Sequence, residues 1–156
     1  MQDHSERLQL LIDELGPSTD SVVLIEQLTP ETWLIALDDN ESAIALRLAA
    51  DTGVITLSCE LGRPQEQDRY RIYEALLTYN GLAELHGGIR MALREPNGVV
   101  IQEFDAHSQQ LDINLLRQVI EDFGKKASAW EAIIEAGEPP EIDRGLQDAS
   151  WAALRV

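Results

Sequence analysis

The sequence predicts an α+β fold in which three helices pack on an antiparallel sheet. Stretches with apolar residues at helical spacing are separated by short apolar runs, and Asp, Asn and Gly mark the turns between those runs. The order is helix, strand meander, helix, hairpin and long helix. Strands that follow one another through short loops pair antiparallel. Because helices and strands are segregated along the chain, the pattern is typical of α+β proteins.

The first predicted element is a short amphipathic helix. Asp3 followed by Glu6 resembles a capping box at its start, and Gly16-Pro17 is expected to end it. Its apolar residues recur at helical spacing: Leu8, Leu11, Ile12 and Leu15.

Four strand-like segments follow, at residues 22–27, 33–38, 43–49 and 54–61. Asp39-Asn40-Glu41 and Asp51-Thr52-Gly53 are turn sequences, because Asp and Asn bond to nearby backbone and Gly tolerates positive φ. The run Val22-Val23-Leu24-Ile25 is apolar on both faces, which indicates that something covers its second face.

The second half is predicted to contain a helix over Asp68–Tyr79, ended by Asn80-Gly81, and then a hairpin turning at Pro96-Asn97-Gly98. A long helix starts near Asp112 and ends at Gly137. Its apolar positions hold helical spacing: Leu115, Leu116, Val119, Ile120, Phe123, Ala127, Trp130 and Ile134. Residues 1–137 are therefore predicted to form the domain. Residues 138–156 form an extension, either a short docked helix or a mobile segment.

The composition restricts the classes of partner. The 156 residues include 28 acidic and 12 basic side chains, a formal net charge of -16. Nucleic acids and anionic membranes both require clustered cations, so neither is expected as a partner. A basic or apolar protein partner is compatible with this charge. Without a signal sequence or an apolar run long enough to cross a bilayer, a cytoplasmic location is expected.

No metal, cofactor or catalytic residue is predicted. The three histidines lie apart in the sequence, Cys59 is expected to be a small buried hydrophobe, and Lys125-Lys126 is expected on a solvated face. Asp51-Thr52-Gly53 matches the triplet of aspartic proteases, in which two such carboxylates share a proton. A hairpin turn explains the same three residues without chemistry.

Several short segments in order resemble the class I type III secretion chaperones, the Tir chaperone family. After the first helix and the meander come Leu61-Gly62-Arg63-Pro64 and Leu76-Leu77-Thr78-Tyr79-Asn80. Gly87-Gly88 precedes a strand, and the final helix carries Phe123, Ala127 and Trp130. The resemblance spans residues 5–136, and it lies in the order and spacing of motifs that are individually degenerate.

This resemblance implies a homodimeric bacterial virulence chaperone that hydrolyses no ATP. It implies binding of the N-terminal chaperone-binding segment of a secreted effector, which stays extended, non-globular and competent for export. The implied effector-binding candidates are Leu8, Leu11, Leu24, Trp33, Ile35, Leu37 and Leu46. The implied dimer-interface candidates are Tyr73, Leu77, Ile89, Met91 and Leu93.

Two alternatives remain open from the sequence. The first is an adaptor or assembly protein of related fold that binds a folded partner outside secretion. The second is a dimeric aspartic peptidase that uses Asp51 from each subunit. Core packing is also an alternative role for each apolar residue named above.

Overall fold

A computed structural model describes residues 3–82, 85 and 87–139, and it confirms the α+β fold. The helices are α1 (His4–Ser18), α2 (Arg69–Gly81) and α3 (Ile113–Ala136). The strands are β1 (Val22–Thr29), β2 (Thr32–Leu37), β3 (Ile44–Ala49), β4 (Val54–Gly62), β5 (Arg90–Leu93) and β6 (Val100–His107). They form one six-stranded sheet in the order β1-β2-β3-β4-β6-β5. Residues 140–156, most of the predicted extension, lie outside the described residues.

Helix α1 begins as predicted but ends later. The Asp3 carboxylate accepts a hydrogen bond from the Ser5 backbone N–H at 3.0 Å, which satisfies one of the unpaired donors of the first turn. The prediction that Gly16-Pro17 ends the helix is wrong, because α1 continues through Pro17 to Ser18. Proline removes one backbone donor and disfavours the helical conformation at the residue before it, but it leaves its own helical φ intact. The last turn therefore forms around Pro17.

The predicted end of α2 is also two residues too early, since Asn80 and Gly81 are both helical and Leu82 is the C-cap.

The turn predictions are confirmed. Gly53 adopts φ 73° between β3 and β4, Asn97 adopts φ 58° between β5 and β6, and Gly137 adopts φ 69° after α3. These are left-handed conformations that Gly and Asn accept at low cost. None of the helices in the described ranges is long and apolar enough to cross a membrane.

The described residues divide into two compact units. The first unit comprises residues 3–59 and 104–125. Its core is formed by side chains from α1, β2, β3, β4, the turn before α3 and the first half of α3, whereas β1 contributes no buried residue. The fully or nearly fully buried ones are Leu8, Ile12, Leu15, Trp33, Ile35, Leu37, Ile44, Leu46, Leu48, Ile55, Leu57, Cys59, Leu111, Leu116, Ile120 and Phe123.

Polar contacts fix the helices of this unit. The Arg7 guanidinium donates to the backbone carbonyl of Leu111 at 2.8 Å, which anchors α1 beside the start of α3. The Asn40 side chain donates to the carbonyl of Gly124 at 2.9 Å, and a Cβ at Gly124 would collide with Leu37. Gly124 therefore sets the close approach of α3 to the end of β2.

The second unit comprises residues 60–103 and 126–139 within the described part of the chain. Its buried apolar residues are Leu61, Ile72, Ala75, Leu76, Tyr79, Ile89, Met91, Val100, Ala127, Trp130 and Ile134. Tyr79 and Trp130 pack edge to face with their ring centroids 5.3 Å apart. Burial raises the pKa of the Tyr79 hydroxyl above its ordinary value, because the charged phenolate is poorly solvated there.

Candidate partner-binding surfaces

A groove of about 480 Å³ runs between α1 and the edge strand β1 in the first unit. Helix α1 supplies Ile12 and Pro17 to it, and β1 supplies a run of apolar residues. The full lining is Gln9, Ile12, Asp13, Gly16, Pro17, Val22, Val23, Leu24, Ile25, Gln27 and Trp33. Its composition suits the apolar side chains of a partner segment. We refer to it as the α1/β1 groove.

Trp33 of β2 is the one lining residue with a buried polar atom that lacks a partner in the described structure. The residue is 1% exposed, and its indole Nε1–H has no hydrogen-bond acceptor. A buried donor without an acceptor costs about 1–3 kcal/mol, so such atoms call for an explanation. An acceptor that enters from outside the chain would supply one.

A chain of hydrogen bonds connects β1 to α1 at this groove. The Gln27 amide donates to the Gln9 amide oxygen at 3.1 Å, and the Gln9 amide donates to an Asp13 carboxylate oxygen at 2.7 Å. Both donors point toward Asp13, so the chain ends on a negative charge. We call these three residues the Gln27–Gln9–Asp13 chain.

Strand β1 is an edge strand, since its neighbour in the sheet is β2 alone. Its register with β2 shifts between Val22 and Leu24 and again between Gln27 and Thr29. Val23 and Leu28 are the extra residues of these two irregularities. Between them, Leu24 to Gln27 pairs regularly with Trp33 to Ala36. This four-residue stretch is the part of β1 whose outer backbone edge best fits an added strand.

The apolar run on β1 is not covered by the chain itself. Val23 is 67% exposed, Leu24 57% and Leu28 52%. Alternation places Leu24 on the face of the sheet opposite α1, beside its cross-strand partner Ala36 and near Leu34, both of which are only half-buried. Exposed apolar side chains that adjoin one another on an edge strand are a feature of interaction surfaces.

The second unit contains a smaller apolar groove of about 180 Å³ between α2 and β5. Its lining is Tyr73, Leu76, Leu77, Asn80, Met91, Ala92 and Leu93. Leu77 is 71% exposed, and the Tyr73 hydroxyl is buried without a hydrogen-bond partner among the described residues. We refer to this surface as the α2/β5 groove.

The backbone of β5 is occupied at the centre of this groove. The Asn80 amide donates to the Met91 carbonyl at 2.8 Å, and its oxygen accepts from the Met91 N–H at 2.8 Å. These two bonds mimic the pairing that a neighbouring strand would make. Asn80 was predicted to end the helix, because no local pattern shows that its side chain bonds to a strand residue eleven positions away.

Arg90 of β5 and Arg94, which follows the strand, both pair with carboxylates. Arg90 contacts Glu103 at 3.0 Å across the hairpin, and Arg94 contacts Glu60.

The predicted effector-binding residues are distributed between core and surface. Leu24 is exposed and Leu11 half-buried, and both lie in the first unit. Five others are core residues of this chain: Leu8, Trp33, Ile35, Leu37 and Leu46. Trp33 nevertheless lines the α1/β1 groove. Contact of these residues with an effector stays a prediction.

The predicted dimer-interface residues lie closer together. Four of them line the α2/β5 groove: Tyr73, Leu77, Met91 and Leu93. The fifth, Ile89, directly precedes β5 in the chain and is buried. Leu77 and Leu93 are exposed. A role of these side chains between subunits also stays a prediction.

Three other predictions concern Asp51, Cys59 and the Lys125-Lys126 pair. Asp51 is exposed on the turn between β3 and β4, where its carboxylate accepts from the Thr52 N–H at 3.0 Å. Cys59 is buried, as predicted. The lysine prediction is half wrong, since Lys125 is exposed but Lys126 is only 3% exposed. Within the described ranges, no group of three or more His, Cys, Asp and Glu side chains could hold a metal ion.

A family model decides the relationship that the sequence motifs suggested. The model of the Tir chaperone protein (CesT) family matches residues 20–131, which include β1, all the other strands and most of α3. The chain belongs to the Tir chaperone protein (CesT) family. A comparison with curated protein sequences gives no match.

Solved structures share the fold of this Tir chaperone family member. The ExsC–ExsE complex matches with a TM-score of 0.68 and 15% identity, over 85% of this chain and 97% of that one. The HopA1–SchA chaperone–effector complex matches with a TM-score of 0.61 and 15% identity, over 82% and 95%. The Yersinia pestis type III secretion chaperone SycH, solved with a fragment of YscM2, matches with a TM-score of 0.54 and 21% identity, over 80% and 96%.

Proposed function

We propose that this chain is a cytoplasmic chaperone that binds the N-terminal chaperone-binding segment of a type III secretion effector. It holds that segment extended, non-globular and competent for export, and it performs no catalysis. The observation that carries the proposal is the uncovered apolar edge strand β1 beside the α1/β1 groove, in a chain of a chaperone family. Two of the similar structures are described as a chaperone–effector complex and a secretion chaperone bound to a fragment.

Strand addition at β1 explains why the bound segment stays extended. An extended segment that pairs with Leu24–Gln27 obtains main-chain hydrogen bonds from the unpaired edge, whatever its sequence. Its alternate side chains then point to opposite faces of the sheet. One set enters the α1/β1 groove, and the other packs against Leu24. A segment held in this way cannot fold on itself, which is the state that export requires.

The charge of the protein supports the same function. A chaperone that carries uncovered apolar strands risks association with other copies through them. The net charge of -16 opposes such association through mutual repulsion. The acidity that argues against nucleic acid therefore also keeps the apolar surface available.

We further propose that two copies of the chain associate through the α2/β5 groove. Leu77 and Leu93 provide exposed apolar surface there, and the buried Tyr73 hydroxyl lacks an acceptor among the described residues. Because Asn80 occupies the Met91 backbone, the contact is made by side chains rather than by strand pairing. A Leu77→Glu variant should then sediment as a monomer at concentrations where the unchanged protein is a dimer.

The absence of catalysis rests on the family and on the position of Asp51. Two such aspartates share a proton only where water is excluded and the carboxylates are in contact. Asp51 is exposed, and its carboxylate accepts from the N–H of the next residue, Thr52, so it makes a local contact within the hairpin turn.

The test uses effectors encoded near this gene, each with and without its N-terminal segment. We expect binding to require that segment, and a Leu24→Glu variant to bind at least about tenfold more weakly, because a buried unpaired charge is costly at an interface. Leu10→Glu is the matched control, since Leu10 is 71% exposed on α1 and outside the groove. Binding of a folded domain that survives removal of the N-terminal segment would support an adaptor instead.

A further inference from the structure

The α1/β1 groove is apolar except for the Gln27–Gln9–Asp13 chain, and Asp13 is the charged residue of its lining. Each glutamine in that chain uses its amide donor on the next acceptor, so the chain delivers an exposed carboxylate to the groove in a held position. A carboxylate that is held in place loses less side-chain entropy when it pairs with a cation.

The lining of the groove contains no cation that could neutralise the Asp13 carboxylate. The lining contains neither lysine nor arginine. Arg7, the basic residue of α1, donates to the carbonyls of Ser108 and Leu111 at 3.4 and 2.8 Å. Glu14 follows Asp13 on the same helix and is exposed. The local potential therefore favours a positive group.

Trp33 supplies an independent sign that this groove accepts something from outside the chain. Its indole Nε1–H is buried with no acceptor in the described structure, and the residue lines the same groove as Asp13. A peptide segment offers cationic side chains for the Asp13 carboxylate, which accepts a hydrogen bond from Gln9 alone among the side chains of the described residues. A purely apolar occupant would leave that carboxylate without a cation.

We infer that the segment bound in the α1/β1 groove is a cationic strand, with a lysine or arginine on its α1-facing side paired with Asp13. This inference rests on the proposed function and names the chemistry of its partner. Gln27 bonds to Gln9, so the residues of β1 that share the Gln27 side of the strand face α1, and Leu24 faces away. An added strand therefore carries its cation on the α1-facing side and apolar residues on the side of Leu24.

The experiment selects displayed peptides of about ten random residues, the length of a long strand, against the full-chain protein. Segments that bind the unchanged protein but not Leu24→Glu are kept. We expect lysine or arginine to dominate one position at fixed spacing from apolar residues. Selection against Asp13→Lys should place aspartate or glutamate at that position. Asp13→Asn should weaken the basic segments by about three- to fivefold, as expected for an exposed ion pair.

Glu14→Lys is the matched control, because it makes the same charge change one residue away, at a position outside the groove lining. It should return the same basic segments as the unchanged protein. Leu24-dependent segments without a basic position, or with one that Asp13→Lys does not alter, overturn this inference and leave the proposed function standing. If no selected segment depends on Leu24, strand addition at β1 is wrong and the inference falls with it.

Discussion

The two edge strands of the sheet, β1 and β5, both border a groove with exposed apolar side chains, yet their backbones differ. The regular stretch of β1 has no side chain bonded to its backbone in the described structure, whereas Met91 at the centre of β5 is bonded on both its N–H and its carbonyl by Asn80. An edge strand with free backbone groups accepts another strand, and one whose groups are occupied does not. The difference supports our two proposals, strand pairing with an effector segment at β1 and side-chain packing between subunits at β5.

The largest expected effect comes from uncovering β5. Asn80→Ala leaves the Met91 N–H and carbonyl without these partners, and should lower the free energy of unfolding by about 2 kcal/mol. Urea denaturation measures this loss, and the Met91 amide should exchange its hydrogen faster. Thr78→Ala is the control, since Thr78 lies on the same helix and its side chain donates to the Glu74 carbonyl within α2 itself. Equal stability of the Asn80 and Thr78 variants would show that β5 is not protected by Asn80.

A smaller effect on stability is expected from alanine substitutions at two helical glycines, Gly124 beside β2 and Gly81 at the end of α2. A Cβ at Gly124 would collide with Leu37 and lie 3.0 Å from the Asn40 Oδ1, whereas a Cβ at Gly81 meets nothing within 4 Å. Gly124→Ala should therefore destabilise by about 1–2 kcal/mol despite the better helix propensity of alanine. Gly81→Ala should stabilise by about 0.5 kcal/mol. Thermal unfolding measures whether each variant is less or more stable than the unchanged protein. A Gly124→Ala variant that is more stable would mean that α3 and β2 are not closely packed.

The smallest effect is a difference in response to alkaline pH. Trp33 in the first unit does not titrate, but Tyr79 in the second does, and burial raises its pKa above that of the unfolded chain. Below about pH 10 both states keep the proton, and above it only the unfolded state releases it. Stability should then fall with rising pH.

Tyr79→Phe should remove this loss, which amounts to about 1 kcal/mol at pH 11. The measurement is the free energy of unfolding in urea at a series of pH values from neutral to alkaline. The slopes against pH are compared, because the constant change in stability caused by removing the hydroxyl does not affect them. Tyr70→Phe is the control, since Tyr70 is 86% exposed. Parallel slopes for the unchanged protein and both variants would contradict a raised pKa at Tyr79.

The local patterns predicted the elements well because they depend on neighbours in the sequence. Helical spacing and turn residues gave every helix and strand, with ends displaced by a few residues, and the positive φ values at Gly53, Asn97 and Gly137 fall where turns were expected. The errors have long-range causes. Lys126 is buried by packing that no neighbouring residue indicates, and Asn80 bonds to a strand rather than ending its helix.

The candidate surfaces were only partly predictable. Four of the five residues predicted for a dimer interface line one groove, because they lie on a helix face and a short strand that are close in sequence. The predicted effector-binding set mixes exposed Leu24 with buried Leu46. Both are apolar residues of a strand, and the sequence signal is the same whether the chain or a partner covers them. The Gln27–Gln9–Asp13 chain was missed because its residues come from two different elements.

The order of helices and strands, the turn positions and the acidity could all be predicted from the sequence, since each depends on residue type and close neighbours. The strand order, in which β6 rather than β5 lies next to β4, follows only from the folded structure, and it determines which strands are edges. Edge position is what leaves the outer backbone of β1 uncovered, with Leu24 on one face of the sheet and Asp13 of α1 on the other. Which backbone edge stays unpaired depends on contacts between distant segments, and no local pattern encodes that.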